Sequence, residues 1–165
     1  MNTNTFKAPW GKALRWMSAG SSLIILAATI PRSLTIAPDY LRWLMVLPLL
    51  LLPAAALFII RSYSIEPNTL AIQRLMWTTR LPLSGLQSAE LIPGAMRRSL
   101  RLCGNGGLFS FTGWYRSRAL GNYRAFVTDL TQTVVLRFPQ RTIVVSPEKP
   151  GQFVAEISQF AFRTS

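Results

Sequence analysis

Thr133-Val-Val-Leu-Arg-Phe-Pro-Gln-Arg-Thr-Ile-Val-Val-Ser-Pro147, followed two residues later by Pro150-Gly-Gln-Phe-Val-Ala-Glu-Ile-Ser-Gln-Phe-Ala-Phe162, decides the fold. The first part is β-branched and alternates. Val134, Leu136 and Phe138 point one way and Val135 and Arg137 the other, which predicts a strand from Thr133 to Phe138. Pro139-Gln140 turns the chain, Thr142 to Val145 forms the return strand, and Ser146-Pro147 ends it. The second part changes period. Phe153, Ile157 and Phe160 share one helical stripe, joined by Val154 and Ala161. Pro150 suits the first turn, where its missing N–H costs nothing. Strands that hand over to one amphipathic helix predict an α+β domain, with the helix closing the end of a sheet or barrel.

Strand patterning continues upstream. Arg124 to Val127 precedes a corner at Thr128-Asp129-Leu130, where Asp129 supplies turn or cap chemistry. Tyr63 and Ile65 alternate with Ser62, Ser64 and Glu66, Glu66-Pro67-Asn68-Thr69 turns the chain, and Leu70, Ile72 and Arg74 continue on a return strand. Leu81-Pro82-Leu83 and Ala89 to Ile92 predict a further short strand pair around Ser84-Gly85. About seven strands are expected between Arg61 and Ser165.

These residues carry a resemblance. Tyr63-Ser-Ile, Leu70-Ala-Ile-Gln-Arg74, Leu81-Pro-Leu, Gly104-Asn-Gly-Gly-Leu-Phe109, Gly113-Trp-Tyr115, Leu120-Gly121, Val127-Thr-Asp129 and Val144-Val-Ser-Pro147 are together similar to the bacterial pleckstrin-homology-like family, over roughly Ser62 to Phe160. The resemblance implies a strongly bent antiparallel sheet or partly open barrel with a C-terminal capping helix. It implies no particular activity. Phosphoinositide-binding pleckstrin domains place basic residues around their first hairpin loop. That loop here is Glu66-Pro67-Asn68-Thr69 and holds none, so specific inositol-phosphate recognition by that route is not expected.

Before Arg61 the periodicity is lost. Trp43 to Ile60 carries no charge and is bracketed by Arg42 and Arg61. As a helix it would run roughly 27 Å, near the hydrocarbon thickness of a bilayer. Trp16 to Pro31 is also uncharged, bracketed by Arg15 and Arg32, and would run roughly 24 Å. A signal peptide is the competing reading of this first stretch, because Lys7, Lys12 and Arg15 precede it. No small-x-small cleavage site follows Ile30. The favoured reading is a transmembrane hairpin within residues 1–60, with spans about 15–32 and 42–60, ahead of a domain at 61–165. Basic residues flank both outer ends of this hairpin. The positive-inside bias therefore predicts a multi-pass protein of the bacterial inner membrane, with N-terminus and C-terminal domain in the cytoplasm.

From Arg61 onward 13 basic residues stand against five acidic ones, and Lys149 is the single lysine. Such a balance beside a membrane suits anionic headgroups. Nucleic acid is not expected, since no helix-turn-helix, zinc-finger or RNA-binding signature accompanies the charge. Arg97, Arg98 and Arg101 precede the Gly104-Asn-Gly-Gly107 turn, and Arg116, Arg118 and Arg124 follow it. If the turn folds the arms together, these six form one guanidinium-rich surface for lipid headgroups or phosphates. Trp114 and Tyr115 between them are candidate interfacial aromatics. The glycine run lacks a following Gly-Lys-Ser/Thr and is read as a tight turn or bulge rather than a phosphate loop.

Enzymatic chemistry is not expected. The chain has no histidine, one cysteine (Cys103) and six acidic residues without metal-ligand spacing. No catalytic residue, cofactor or metal is therefore predicted. The expected function is a non-catalytic binding or scaffolding module that engages anionic lipids or recruits a protein partner. A homo-oligomer is compatible with the sequence. The alternative is a small accessory subunit of a larger membrane complex, associating through its transmembrane helices, where Ala54-Ala55-Ala56 permits close packing.

Overall fold

The computed structural model describes residues 4–35 and 47–162. In chain order these are β1 (Asn4–Lys7), α1 (Lys12–Thr35), a single 3-10 turn (Leu47–Leu50), α2 (Leu51–Ala56), β2 (Ile60–Glu66), β3 (Thr69–Arg74), β4 (Thr78–Pro82), β5 (Ser88–Leu91), β6 (Leu100–Gly106), β7 (Phe111–Ser117), β8 (Gly121–Val127), β9 (Val134–Arg137), β10 (Thr142–Val145) and α3 (Pro150–Phe162).

The strands form two sheets, ordered β1-β2-β3-β4 and β5-β9-β10-β8-β7-β6. The expectation of a strongly bent antiparallel sheet or partly open barrel is corrected in two respects. The strands divide between two sheets, and β10 runs parallel to β8, with Val144 opposite Ala125. The connection from β8 through β9 to β10 imposes this, because β9 lies on the far side of β10. The predicted pairing of the segments around Leu81 and Ala89 is also replaced. β4 pairs with β3, whereas β5 crosses to the second sheet and pairs with β9.

Alternation along β8, β9 and β10 explains why these strands are apolar on both faces. Phe126, Val134, Leu136, Ile143 and Val145 enter a core shared with the first sheet and with Phe153 and Ile157 of α3. Their neighbours Ala125, Val127, Val135 and Val144 enter a second core on the opposite face. The helical stripe of α3 is as expected, with Phe153 and Ile157 fully buried and Val154 and Phe160 packed alongside.

The N-terminal segment contributes to both cores. Strand β1 adds to the free edge of β2, with Phe6 opposite Tyr63. Its side chain meets Phe153 edge-on, at 5.3 Å between ring centroids. Helix α1 then docks by its first two turns. Gly11 N donates to Thr128 O at 3.0 Å, and Leu14 is fully buried in the second core.

The two-helix hairpin is not what forms. Lys12–Ile30, within α1, is one stretch long and apolar enough to cross a membrane by length and composition. The second stretch gives only the short helical run Leu47–Ala56 among the described residues, and part of the expected span 42–60 lies outside them. Its last residues belong to the domain. Ile60 opens β2 and is 1% exposed, and Phe58 packs edge-on against Trp77 at 5.2 Å. Apolarity alone does not separate a lipid-facing helix from the first strand of a core.

Candidate functional site

Four of the six candidate arginines converge. Arg97 and Arg98 lie on the loop between β5 and β6, Arg116 on β7, and Arg118 in the turn to β8. Together with Leu100 and Ser117 they line a concavity of about 750 Å3 whose wall, among the described residues, contains no acidic side chain. The loop is held in place from inside. Met96 is buried, Thr133 Oγ1 accepts from Ala95 N at 3.0 Å and donates to Ile92 O, and Tyr123 OH donates to Ser99 Oγ at 2.7 Å. Arg98 occupies the left-handed region at φ 56°. That conformation is uncommon for a side chain of this size and tends to be kept where the surroundings dictate it.

Arg101 and Arg124 go elsewhere. Arg101 is the register partner of Tyr115, whereas Leu100 is the partner of Arg116, so alternation puts Arg101 on the other sheet face. Arg124 is half-buried, lies over the Phe126 ring at 4.9 Å and is the register partner of Trp114. Trp114 is 50% exposed. Tyr115 is buried in the second core instead of facing solvent, and its hydroxyl donates to Asn105 O at 2.8 Å. Adjacent strand residues point to opposite faces, so the two aromatics cannot both be interfacial on one sheet face.

The glycine turn serves as a socket. Ser18 on α1 donates its hydroxyl to Gly107 O at 3.1 Å and accepts from Phe109 N at 2.9 Å. A Cβ on Gly107 would fall 2.6 Å from Met17 Cε. Asn105 Oδ1 accepts from Leu108 N at 3.0 Å, so the turn's own amides are engaged. Asp129 also acts locally, as expected of a corner residue. Its Oδ1 accepts from Thr131 N at 2.8 Å and Thr131 Oγ1 at 2.6 Å. Among the described residues no group of three His, Cys, Asp or Glu side chains is placed to hold a metal.

Arg74 is read from the sequence as the continuation of a strand and not as a site residue. It shares the inward phase of Leu70 and Ile72 on β3, and that phase is the available signal. Its side chain is 7% exposed and lies among the rings of Phe58, Trp77 and Phe126 at 5.4–5.6 Å, yet Nε and Nη1 meet no acceptor. Burial, and then the neighbouring Arg124, lower its pKa below the ordinary guanidinium value.

Large apolar side chains stand exposed on several segments. Trp16, Leu23 and Ile24 on α1 and Leu47, Leu50 and Leu51 are exposed, as are Met76 and Trp77 on the β3–β4 turn. Beyond Ser18, α1 continues to Thr35, about 25 Å at 1.5 Å per residue.

A family model described as bacterial PH domain matches residues 61–161. No curated protein and no solved structure matches the chain.

Proposed function

The chain belongs to the bacterial PH domain family, and on that basis we propose that it is a non-catalytic binding module seated at the cytoplasmic face of a bacterial inner membrane. It recruits an acidic protein partner through Arg97, Arg98, Arg116 and Arg118. The observation that supports this reading is where the concavity opens. Helix α1 leaves the domain at the Gly107–Phe109 end of the β6–β7 hairpin, where Ser18 is bonded. Arg116 and Ser117 end β7 on the other side. The seven residues of β7 separate the two ends by about 20 Å. That exceeds the Debye length of ~8 Å at physiological ionic strength, so headgroups gathered at the helix exit are largely screened at the hollow. A cationic hollow without acids, held at that distance, suits a partner arriving from solution more than a headgroup of the same membrane.

The test uses the full chain in nanodiscs of neutral lipid, because β1 and α1 both contribute to the cores. A labelled glutamate-rich peptide should bind at physiological salt. Arg97→Ser/Arg98→Ser and Arg116→Ser/Arg118→Ser should each weaken it tenfold or more, with Arg80→Ser as the unaffected control. Equal losses in the control would reduce the effect to net charge. Protection of residues 94–99 from hydrogen exchange by anionic nanodiscs, with no peptide binding, would favour headgroups instead.

A second reading is supported by the exposure of Trp16, Leu23 and Ile24 on α1. This face would pack against a helix of a larger membrane complex, making the chain an accessory subunit. A stoichiometric membrane partner after purification in mild detergent would favour it, and a lone chain would remove it.

A further inference from the structure

Between α2 and the outer face of the β6–β7 hairpin runs a second groove, of about 510 Å3. Ala54, Ala55 and Phe58 form one wall, Leu108 and Trp114 line the opposite side, and among the described residues no acidic side chain lines it. Arg74 and Arg124 are the charged residues that line it among those described. The two guanidinium groups both lie over the Phe126 ring, at 5.4 and 4.9 Å.

The decisive feature is the state of Arg74. Three aromatic faces surround its cation, but a ring accepts from the face of a guanidinium and leaves in-plane N–H donors unserved. Nε and Nη1 are both buried and both without an acceptor. Buried donors are almost always paired, and a buried cation beside a second cation is costly unless an anion joins them. An oxyanion with two or more oxygens would take these donors once the guanidinium turns toward the groove, and would offset the repulsion from Arg124. The walls specify the rest of the ligand. They are mostly alkyl and aromatic, and the polar side chains of Asn105 and Thr112 are already bonded to Leu108 and Ser110. The part of the ligand behind its anionic head is therefore hydrocarbon. The location specifies the source. Leu108 lies in the turn that holds Ser18, the exposed Leu51 lines the groove, and the exposed Trp77 packs on Phe58 of its wall.

We propose that this groove holds one anionic lipid taken from the membrane, with its phosphate or carboxylate head on Arg74 and Arg124 and its chain lying along α2 between Phe58 and Trp114. The site is separate from the arginine concavity and from the first hairpin loop. It would act as a seat that fixes the domain's attitude on the bilayer, and it does not depend on what the concavity recruits.

The experiment is a thermal-shift series on the full chain in a neutral, non-ionic detergent, with native mass spectrometry of retained lipid. Dodecyl phosphate should raise the unfolding midpoint by several degrees, and inorganic phosphate at equal concentration should not. The chain as purified should carry one anionic lipid. Arg74→Met and Ala54→Trp should each lower the apparent affinity tenfold or more. Ala54 is exposed at the groove wall, so the tryptophan fills the groove and leaves both arginines intact. Arg116→Ser/Arg118→Ser should leave the shift unchanged. Should Arg74→Met fail to fold, Ala54→Trp and Arg124→Gln decide the matter. An equal shift from inorganic phosphate would overturn the lipid assignment and make this a plain anion site. An undiminished shift in Ala54→Trp, or no shift with no retained lipid, would overturn the proposal.

Discussion

Ser18 and Phe109 are joined across 91 positions of sequence by one hydrogen bond of 2.9 Å, from the Phe109 amide to the Ser18 hydroxyl. The same hydroxyl donates to Gly107 O, so a single side chain of α1 satisfies two backbone groups of the hairpin turn. This clip, with Leu14 in the second core, makes the first two turns of α1 part of the domain and leaves no linker between helix and sheet. A rigid junction of this kind transmits the tilt of the helix directly to the domain.

Ser18→Ala should therefore destabilise the fold by about 1–2 kcal/mol, because two partially buried backbone groups lose their partner together. Ser22→Ala, one turn further along an exposed stretch, should change stability by less than about 0.5 kcal/mol. Thermal unfolding in detergent measures both. Equal effects would mean that the clip is dispensable.

Strand β1 supports a second expectation. Phe6 is 8% exposed, faces Tyr63 across the sheet and meets Phe153 edge-on. Phe6→Ala should cost about 3–4 kcal/mol, from lost transfer energy and the cavity left behind. Removing residues 1–8 should do at least as much harm and bare the edge of β2, an invitation to strand pairing between copies. Light scattering alongside the melt would read both. A truncated chain as stable and as monodisperse as the full one would show β1 to be ornamental.

Periodicity decides how much of this is legible in the sequence. Val134 to Val145 and the helix after Pro150 can be read because their apolar residues recur at two and at 3.6. Four residues, Asn4-Thr-Phe-Lys7, are too few to show a period, so nothing in them but the charge of Lys7 stands out. The run ending at Ile60 looks like a membrane span because lipid and protein core select the same side chains. Its boundary is set by Ile60 entering β2, a tertiary fact. At the candidate site, Arg97, Arg98, Arg116 and Arg118 come together as the turn suggests. Arg101 is separated from them by strand alternation, and the irregularity between Arg101 and Cys103 adds a shift that sequence spacing does not reveal. Arg124 shares the face of Arg116 but sits two positions along the sheet, level with Trp114.

The hairpin itself depends on two facing glycines. Gly104 and Gly113 are register partners, at φ 115° and 141°, and a Cβ on either would overlap a carbonyl oxygen of the opposite strand, Thr112 O or Cys103 O. Gly113→Ala should destabilise by about 2–4 kcal/mol, since both the conformation and the backbone approach are refused. Gly151→Ala, in α3 with open space around it, should instead stabilise by about 0.5–1 kcal/mol. A melt in which both substitutions act alike would contradict the close approach.

High pH should unfold the domain through its buried phenols. Tyr63 is fully buried, and its hydroxyl donates to Phe126 O at 2.7 Å within a group that includes Ser146 and Thr128. Burial pushes its pKa up to about 12, with the Ser146 hydrogen bonds pulling the other way, and burial likewise takes Tyr115 to about 12. An unfolded tyrosine titrates near 10. Above that value the folded state holds protons that the unfolded state has released. The contribution is complete below about pH 10 and is lost as pH rises through the folded pKa near 12. Tyr63→Phe should cost about 1–3 kcal/mol at neutral pH, because Phe126 O loses its donor. It should also flatten the fall in thermal midpoint above about pH 10, where tyrosinate absorbance reports the ionisation directly. If the alkaline slope is the same in Tyr63→Phe as in the parent, another group governs the transition.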